Sequence, residues 1–320
     1  MRSPLLPAAR PLAFLCLVAP ALPAAASCGS AFCVLNTDWD SLAVHNQGGQ
    51  TTVDLRYEYI PQDALYAKGS RIAKATVDED VAEKKTINHN LSATLDYAIN
   101  RQWGVSVVLP VVSRSHSHTV DPTGSPVGES WDFTRSGDMR LLGRYQSALS
   151  EESSLGLQFG AKLPTGSHKV SNGDGTQAER ALQPGTGSTD AILGAYYAYR
   201  PKFSGTSWFV QAQLQSATAT ADGFRPGNQL SASAGLSQPL GEELSVLFQV
   251  NALAKRRDSG ANAEPDLSGG RYVFVSPGLS YNLSASNRVY GYLQAPVYRH
   301  VNGTQLTADW SFIAGYSHRF

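Results

Sequence analysis

Residues 305–320 read QLTADWSFIAGYSHRF, and this stretch decides the fold. From Leu306 every second side chain is apolar or a ring: Leu306, Ala308, Trp310, Phe312, Ala314, Tyr316, His318 and Phe320. Thr307, Asp309, Ser311, Gly315, Ser317 and Arg319 fall on the other face. A period of two belongs to a strand whose two faces meet different surroundings. Near the other end Val53, Leu55, Tyr57 and Tyr59 alternate with Asp54, Arg56 and Glu58 in the same way. Between them the pattern predicts further strands. The full set of twelve lies near 50–60, 86–99, 103–113, 138–148, 154–164, 189–200, 207–216, 228–238, 243–254, 271–283, 288–298 and 305–320. Each is near or above the roughly 9–11 residues with which a tilted strand crosses a bilayer. Strands of a soluble sandwich run to about 5–6 residues.

The connections alternate as well. Segments 61–85, 114–137, 165–188, 217–227 and 255–270 are long and polar, and 299–304 is modest. Links at 100–102, 149–153, 201–206, 239–242 and 284–287 are short. Short periplasmic turns and long external loops mark an outer-membrane barrel, and a Greek-key sandwich has no reason to alternate so. In lipid every backbone N–H and C=O must pair internally, so strands span only as a closed cylinder. The expected fold is therefore all-β, a single 12-stranded antiparallel transmembrane β-barrel of the bacterial outer membrane. Aromatic residues at strand ends, among them Trp103, Trp208, Tyr145 and Tyr199, fit its interfacial girdles.

Composition agrees. The chain has 320 residues, with 26 Lys+Arg against 26 Asp+Glu. Zero net charge argues against a nucleic-acid partner. Charged residues make up 16%, below the roughly 25% of a soluble domain. Hydrophobic residues reach 42%, yet mean hydropathy is −0.22, and past residue 26 no apolar run approaches the ~18 residues of a spanning helix. Residues 1–26 read as a signal peptide, with Arg2 and Arg10, an apolar core from Pro11 to Leu22, and Ala24-Ala25-Ala26 for cleavage. Residues 27–48 follow as a periplasmic or plug segment, and 49–320 as the barrel. Cys28 and Cys33 in an exported chain suggest a disulfide. With His45 they also offer a metal site, which would make the protein a metal- or redox-associated accessory.

Several strings resemble the "MetA-pathway of phenol degradation" family of outer-membrane barrels. They are Gly160-Ala161-Lys162-Leu163-Pro164-Thr165-Gly166, Leu182-Gln183-Pro184-Gly185-Thr186-Gly187-Ser188 and Gln294 to Gly303. Cys28 to Cys33 and Asn36-Thr37-Asp38-Trp39 look like a subgroup of it. The strand ending in Phe320 resembles the signature read by the barrel-assembly machinery. The resemblance implies an outer-membrane transporter with small aromatic cargo and carries over no catalytic residue; the charged first external loop, with Lys68, Arg71, Lys74, Lys84 and Lys85, is a candidate contact for lipopolysaccharide.

Strand parity predicts a lumen lined by Asp54, Arg56, Glu58, Asp96, Arg140, Arg144, Lys162, Gln211, Gln213, Gln249, Gln294 and Asp309. Such groups either plug a narrow barrel by pairing or line a wet path that selects solutes. An apolar wall is expected from Val107, Val108, Leu109, Val111 and Val112, which make both faces of the third strand apolar, from Val273, Val275, Leu279 and Tyr281 on the tenth, and from Tyr290 and Tyr292. It suits an apolar solute, or packing of segment 27–48 inside the barrel. Pro110, Pro164, Pro277 and Pro296 share the inward parity; each marks a bulge or a lateral opening where wall pairing fails. His116 and His118, with His89, form a possible metal set, but a solvated loop pair is the expectation. No nucleophile sits beside a base and an orienting group, and no G-x-S-x-G occurs, so neither an enzyme nor a cofactor is expected. A channel for passive passage of a small solute is the leading reading, and a sealed structural barrel the other.

Overall fold

The computed structural model describes residues 27–28, 35–37, 48–73, 81–120, 127–203 and 205–320. Cys33, His45, residues 1–26 and the side chain of Cys28 lie outside them, and with them the signal-peptide, disulfide and Cys/His metal readings. Twelve spans form one closed antiparallel barrel. They are β1 (Gln50–Ala67), β2 (Val81–Ala98), β3 (Trp103–Val120) and β4, which runs in two pieces (Val127–Ser136 and Arg140–Ala148). Next come β5 (Ser153–Lys162), β6 (Ser188–Tyr199), β7 (Ser207–Thr220), β8 (Gln229–Pro239) and β9 (Leu244–Lys255). Last are β10 (Gly270–Asn282), β11 (Asn287–Val301) and β12, again in two pieces (Thr304–Ala308 and Ser311–Arg319). The cylinder closes where β12 pairs with β1, from Phe312↔Tyr59 to Arg319↔Thr52.

Leu55, Leu91, Leu95, Leu109, Leu141, Leu157, Leu193 and Leu214 stand exposed on the outer face, while Asp54, Glu58, Thr94 and Asp96 are buried within. That inversion of a soluble protein is what lipid demands. A periplasmic aromatic girdle is visible in the Trp103–Tyr145 contact at 4.9 Å and the Tyr197–Trp208 contact at 5.1 Å. The periplasmic turns are tight for a local reason. At 99–102, Asn100 Oδ1 accepts the Gln102 and Trp103 amides, both at 2.8 Å, as an Asx turn.

Two predicted external loops are largely strand. β1 and β2 run 18 residues each and β3 another 18, so their hairpins stand far above the bilayer. Above the membrane the ladder still satisfies the backbone, but neither face meets lipid, so the polar sequence there loses its alternation. Segment 163–187 is the opposite case. It folds inward, with Leu182 fully buried against Leu65, Trp131, Phe133 and Leu306. Leu306 is thus interior rather than lipid-facing; β12 breaks between Ala308 and Ser311, and the alternation does not carry across that break.

Candidate functional site: the lumen and its wall

The strand faces place the predicted polar set as follows. Arg56, Glu58, Arg140, Arg144, Lys162, Gln211 and Gln213 line a central cavity of about 460 Å³. Asp54 and Asp96 line a periplasmic vestibule of about 90 Å³. Gln249 is fully buried beside Asn36. Gln294 borders a small cavity in the wall. Asp309 is not a lumen residue: it sits in the break of β12, paired with Arg299 at 2.9 Å and Arg71 at 3.1 Å. The break at 309–310 ends the alternation on which its inward placement depended.

The partition between vestibule and cavity is the chain itself. Thr37 lines both. Gln249 Nε2 donates to the Asn36 carbonyl at 2.7 Å, and the Asn36 amide donates to Gln249 Oε1 at 3.2 Å. Arg56 Nη1 donates to the Leu35 carbonyl at 3.4 Å and to Thr37 Oγ1 at 3.2 Å. Leu35 packs into a collar made by Tyr196, Phe209, Leu247, Tyr290, Tyr292 and Ile313. Glycine makes that collar possible. A Cβ on Gly156 or Gly315 would lie 2.2 Å from the Tyr196 or Tyr290 ring, so each ring lies over a bare backbone on the neighbouring strand.

Several of the charges around the cavity are paired. Arg56 Nε meets Glu58 at 3.0 Å, and Arg144 meets Asp96 at 3.5 Å. Lys162 Nζ lies 3.0 Å from Asp138 and 3.3 Å from Asp190. Asp138 in turn accepts the Gly166 amide at 3.0 Å and the Thr186 amide at 2.8 Å, so one buried carboxylate pins both ends of the inward loop. Sequence reading had Lys162 but not this use of Asp138, because loop 163–187 carries no periodic signal. Val108, Pro110, Val112 and Leu142 give the cavity one apolar side. On β10 the inward side chains are Tyr272, Phe274 and Ser276, while Leu279 and Tyr281 are 54% and 40% exposed outside. Val273, Val275, Leu279 and Tyr281 therefore do not form an inner wall. β10 is apolar on both faces over 272–275, so alternation there could not say which face is which.

Arg180 ties the inward loop down from above. Its guanidinium pairs with Asp222 at 2.8 Å and lies 4.3 Å from the Phe224 ring centroid. Asp222, in the external loop after β7, loses solvation, but the Phe224 amide and Arg180 outweigh that and hold its carboxyl below the ordinary range. A depressed folded value means the clamp contributes stability above the unfolded carboxylate range and loses it as pH falls through the folded value. Limited proteolysis of loop 163–187 should accordingly be slow at neutral pH and accelerate in acid. Asp222→Asn should be cut readily at both.

The four prolines divide. Pro110 stays in the ladder with β2 (Ser92↔Pro110), and its carbonyl accepts the Gly137 amide at 2.9 Å across the interruption of β4. Pro164 lies beyond the end of β5, where Leu163 donates to the Met139 carbonyl at 2.8 Å. Pro277 is exposed on the outer face, against its predicted inward parity, and β10 keeps register with both neighbours around it. Pro296 differs. Pairing of β11 with β12 runs from Asn287↔His318 to Gln294↔Ser311 and stops there. Beyond it the 304–308 piece of β12 pairs with β1 on one side and, in parallel, with Ser27–Cys28 on the other. The notch this leaves has a cavity of about 30 Å³, bordered by Ile60, Tyr272, Phe274, Pro296, Leu306 and Trp310.

A family profile described as "Putative MetA-pathway of phenol degradation" matches residues 75–317. The chain belongs to that family. Comparison with curated proteins finds no match. Among solved structures, the barrel of this phenol-degradation family member is similar to an outer membrane channel from Pseudomonas putida F1. The TM-score is 0.64 at 14% identity, over 86% of this chain and 97% of that one. The Ralstonia pickettii toluene transporter TbuX is matched with a TM-score of 0.44 at 9% identity, over 87% of this chain and 90% of that one. With its apolar outer band and closed ladder, this family member is a barrel of the bacterial outer membrane.

Proposed function

We propose that this barrel passively admits a small aromatic or apolar solute from outside and delivers it through the notch between β11 and β12. The observation that carries the reading is the end of wall pairing at Gln294↔Ser311, flanked by interior rings on one side and lipid-facing Trp310 on the other. Apolar side chains at the notch let such a solute leave the wet interior without crossing a polar rim. The family description, with its reference to phenol degradation, supports aromatic cargo. At about 30 Å³ the notch is narrow, so passage requires the 304–308 piece, with Ser27–Cys28 paired along it, to move away from β11.

The test is uptake of an apolar fluorescent naphthylamine by cells whose intact lipopolysaccharide excludes it. Phe274→Glu places a charge in the notch, and Trp310→Ala removes the outer ring. Phe274→Glu should cut the protein-dependent uptake rate by about tenfold, as an unpaired charge in an apolar passage costs more than 1.4 kcal/mol. Ion conductance in planar bilayers should hold in both variants, which reports that the barrel is folded. Unchanged uptake in both variants with conductance intact would overturn the notch as the exit.

A further inference from the structure

Above the membrane, on the inner face of the β2–β3–β4 extension, a cluster of side chains that the passage does not use comes together. A ladder shift between Glu83 and Lys85 makes the first contact possible. In β2 the even positions Thr86 and Asn88 point inward, so an unbroken strand would turn Glu83 away from the interior. The bulge turns Glu83 in, opposite His118, while Thr86 lies opposite His116. On the other side of β3, His118 is opposite Glu129 and His116 opposite Trp131. Glu83, His116 and His118 are only 2%, 1% and 4% exposed, so the expected solvated histidine pair is in fact interior. His89 takes no part; it faces outward beside Tyr57, 2.7 Å from its hydroxyl.

From this arrangement the geometry points to a site for a divalent transition metal ion of the zinc type, held by Glu83 Oε2, His116 Nε2 and His118 Nδ1. The donor atoms converge. The two imidazole nitrogens are 3.1 Å apart, Glu83 Oε2 is 3.8 Å from His116 Nε2, and the three residues offer ligand atoms within 4.8 Å of one another. Ligands about 2.0–2.1 Å from a tetrahedral ion stand at comparable separations. The second nitrogen of each ring is already held, as metal-binding histidines require. His118 Nε2 is 3.2 Å from the Glu129 carboxylate, and His116 Nδ1 is 2.9 Å from the Thr86 hydroxyl. Two imidazoles and one carboxylate select zinc, nickel or copper over calcium or magnesium. A fourth position is left for water.

The protons balance without an imidazolium. Without metal, one consistent chain has Thr86 donating to His116 Nδ1, His116 Nε2 to His118 Nδ1, and His118 Nε2 to Glu129. On binding, the His116 proton moves to Nδ1 and is donated to Thr86 Oγ1. Nε2 and His118 Nδ1 then give their lone pairs to the ion. Trp131 packs against both rings, tilted to His116 and edge-on to His118, with centroids 5.6 and 5.0 Å away, and its Nε1 donates to the Thr176 carbonyl of the inward loop. A metal here would stiffen the wall on which that loop rests.

Zinc titration of the purified barrel in detergent, by calorimetry, tests this, with cobalt absorption as the reporter of tetrahedral nitrogen–oxygen ligation. We expect one equivalent bound by the wild type and by Cys28→Ser/Cys33→Ser, and none by His116→Gln/His118→Gln. Glu129→Ala keeps all three ligands and should weaken binding by about 10–100-fold. His89→Gln should bind as the wild type does. Slower electrophoretic mobility after heating shows that each variant was folded. Stoichiometric zinc retained by His116→Gln/His118→Gln, or no zinc bound by the folded wild type, would overturn the site.

Discussion

Deleting residues 27–47 should raise single-channel conductance by a factor of about three or more, because it removes the partition between vestibule and cavity from a barrel whose twelve strands leave room for a path. The wall starts at Gln50, whose neighbour Gly49 already donates to the Ala98 carbonyl at 2.7 Å, so the deletion leaves every wall pairing of 50–319 in place. What it removes is the partition at Leu35–Thr37, held by Gln249 and Arg56 and seated in the ring collar. Vestibule and cavity then merge into one path. The comparison is with the intact chain in planar bilayers at the same ionic strength. Equal conductance would mean that the inward loop 163–187, not the N-terminal segment, sets the constriction. Arg56→Ala should move conductance in the same direction by less, since Gln249 still holds Asn36.

The largest loss of stability is expected from Lys162→Met. The ammonium faces Asp138 and Asp190 and also donates to Ser188 Oγ at 3.1 Å, all of them buried. Removing it leaves two interior carboxylates without their shared cation, at a cost of about 3–5 kcal/mol. Asp138 then holds Gly166 and Thr186 less firmly, so loop 163–187 should become protease-sensitive together with the shift in urea midpoint. Adding Asp138→Asn and Asp190→Asn to Lys162→Met should recover much of the midpoint, because neutral amides replace the unpaired charges. A midpoint for Lys162→Met within error of the wild type would show that the three groups are hydrated rather than coupled.

The fold was legible because lipid imposes a simple rule on every span. Leu55, Leu91 and Leu157 stand on the outer face, and Asp54, Thr94 and Gln158 turn inward, so period two in the sequence is the barrel written out. Legibility failed wherever that rule was suspended. Above the membrane, 61–67 and 114–120 are strand without an apolar face, so they read as loop. β10 carries apolar residues on both faces, which hid its orientation. Bulges also reset parity without leaving a mark in the sequence. The one between Glu83 and Lys85 brings Glu83 to the histidines, and the break of β12 at 309–310 separates buried Leu306 from the lipid-facing set that follows. The notch at Pro296 was half legible. A proline inside a strand of a closed barrel flags a fault, but Pro110 and Pro277 carry the same flag where pairing of the same two strands resumes within a few residues.

The claim that an aromatic solute leaves the interior between β11 and β12 is tested most directly by photolabelling. A small apolar aryl diazirine is supplied to outer membranes containing the barrel, irradiated, and its adducts mapped by peptide mass spectrometry. The account predicts adducts concentrated on Tyr272, Phe274, Pro296, Leu306 and Trp310, the residues bordering the notch. Adducts spread evenly over lipid-facing rings such as Tyr57, Tyr97 and Phe248, with none at Tyr272 or Phe274, would contradict it.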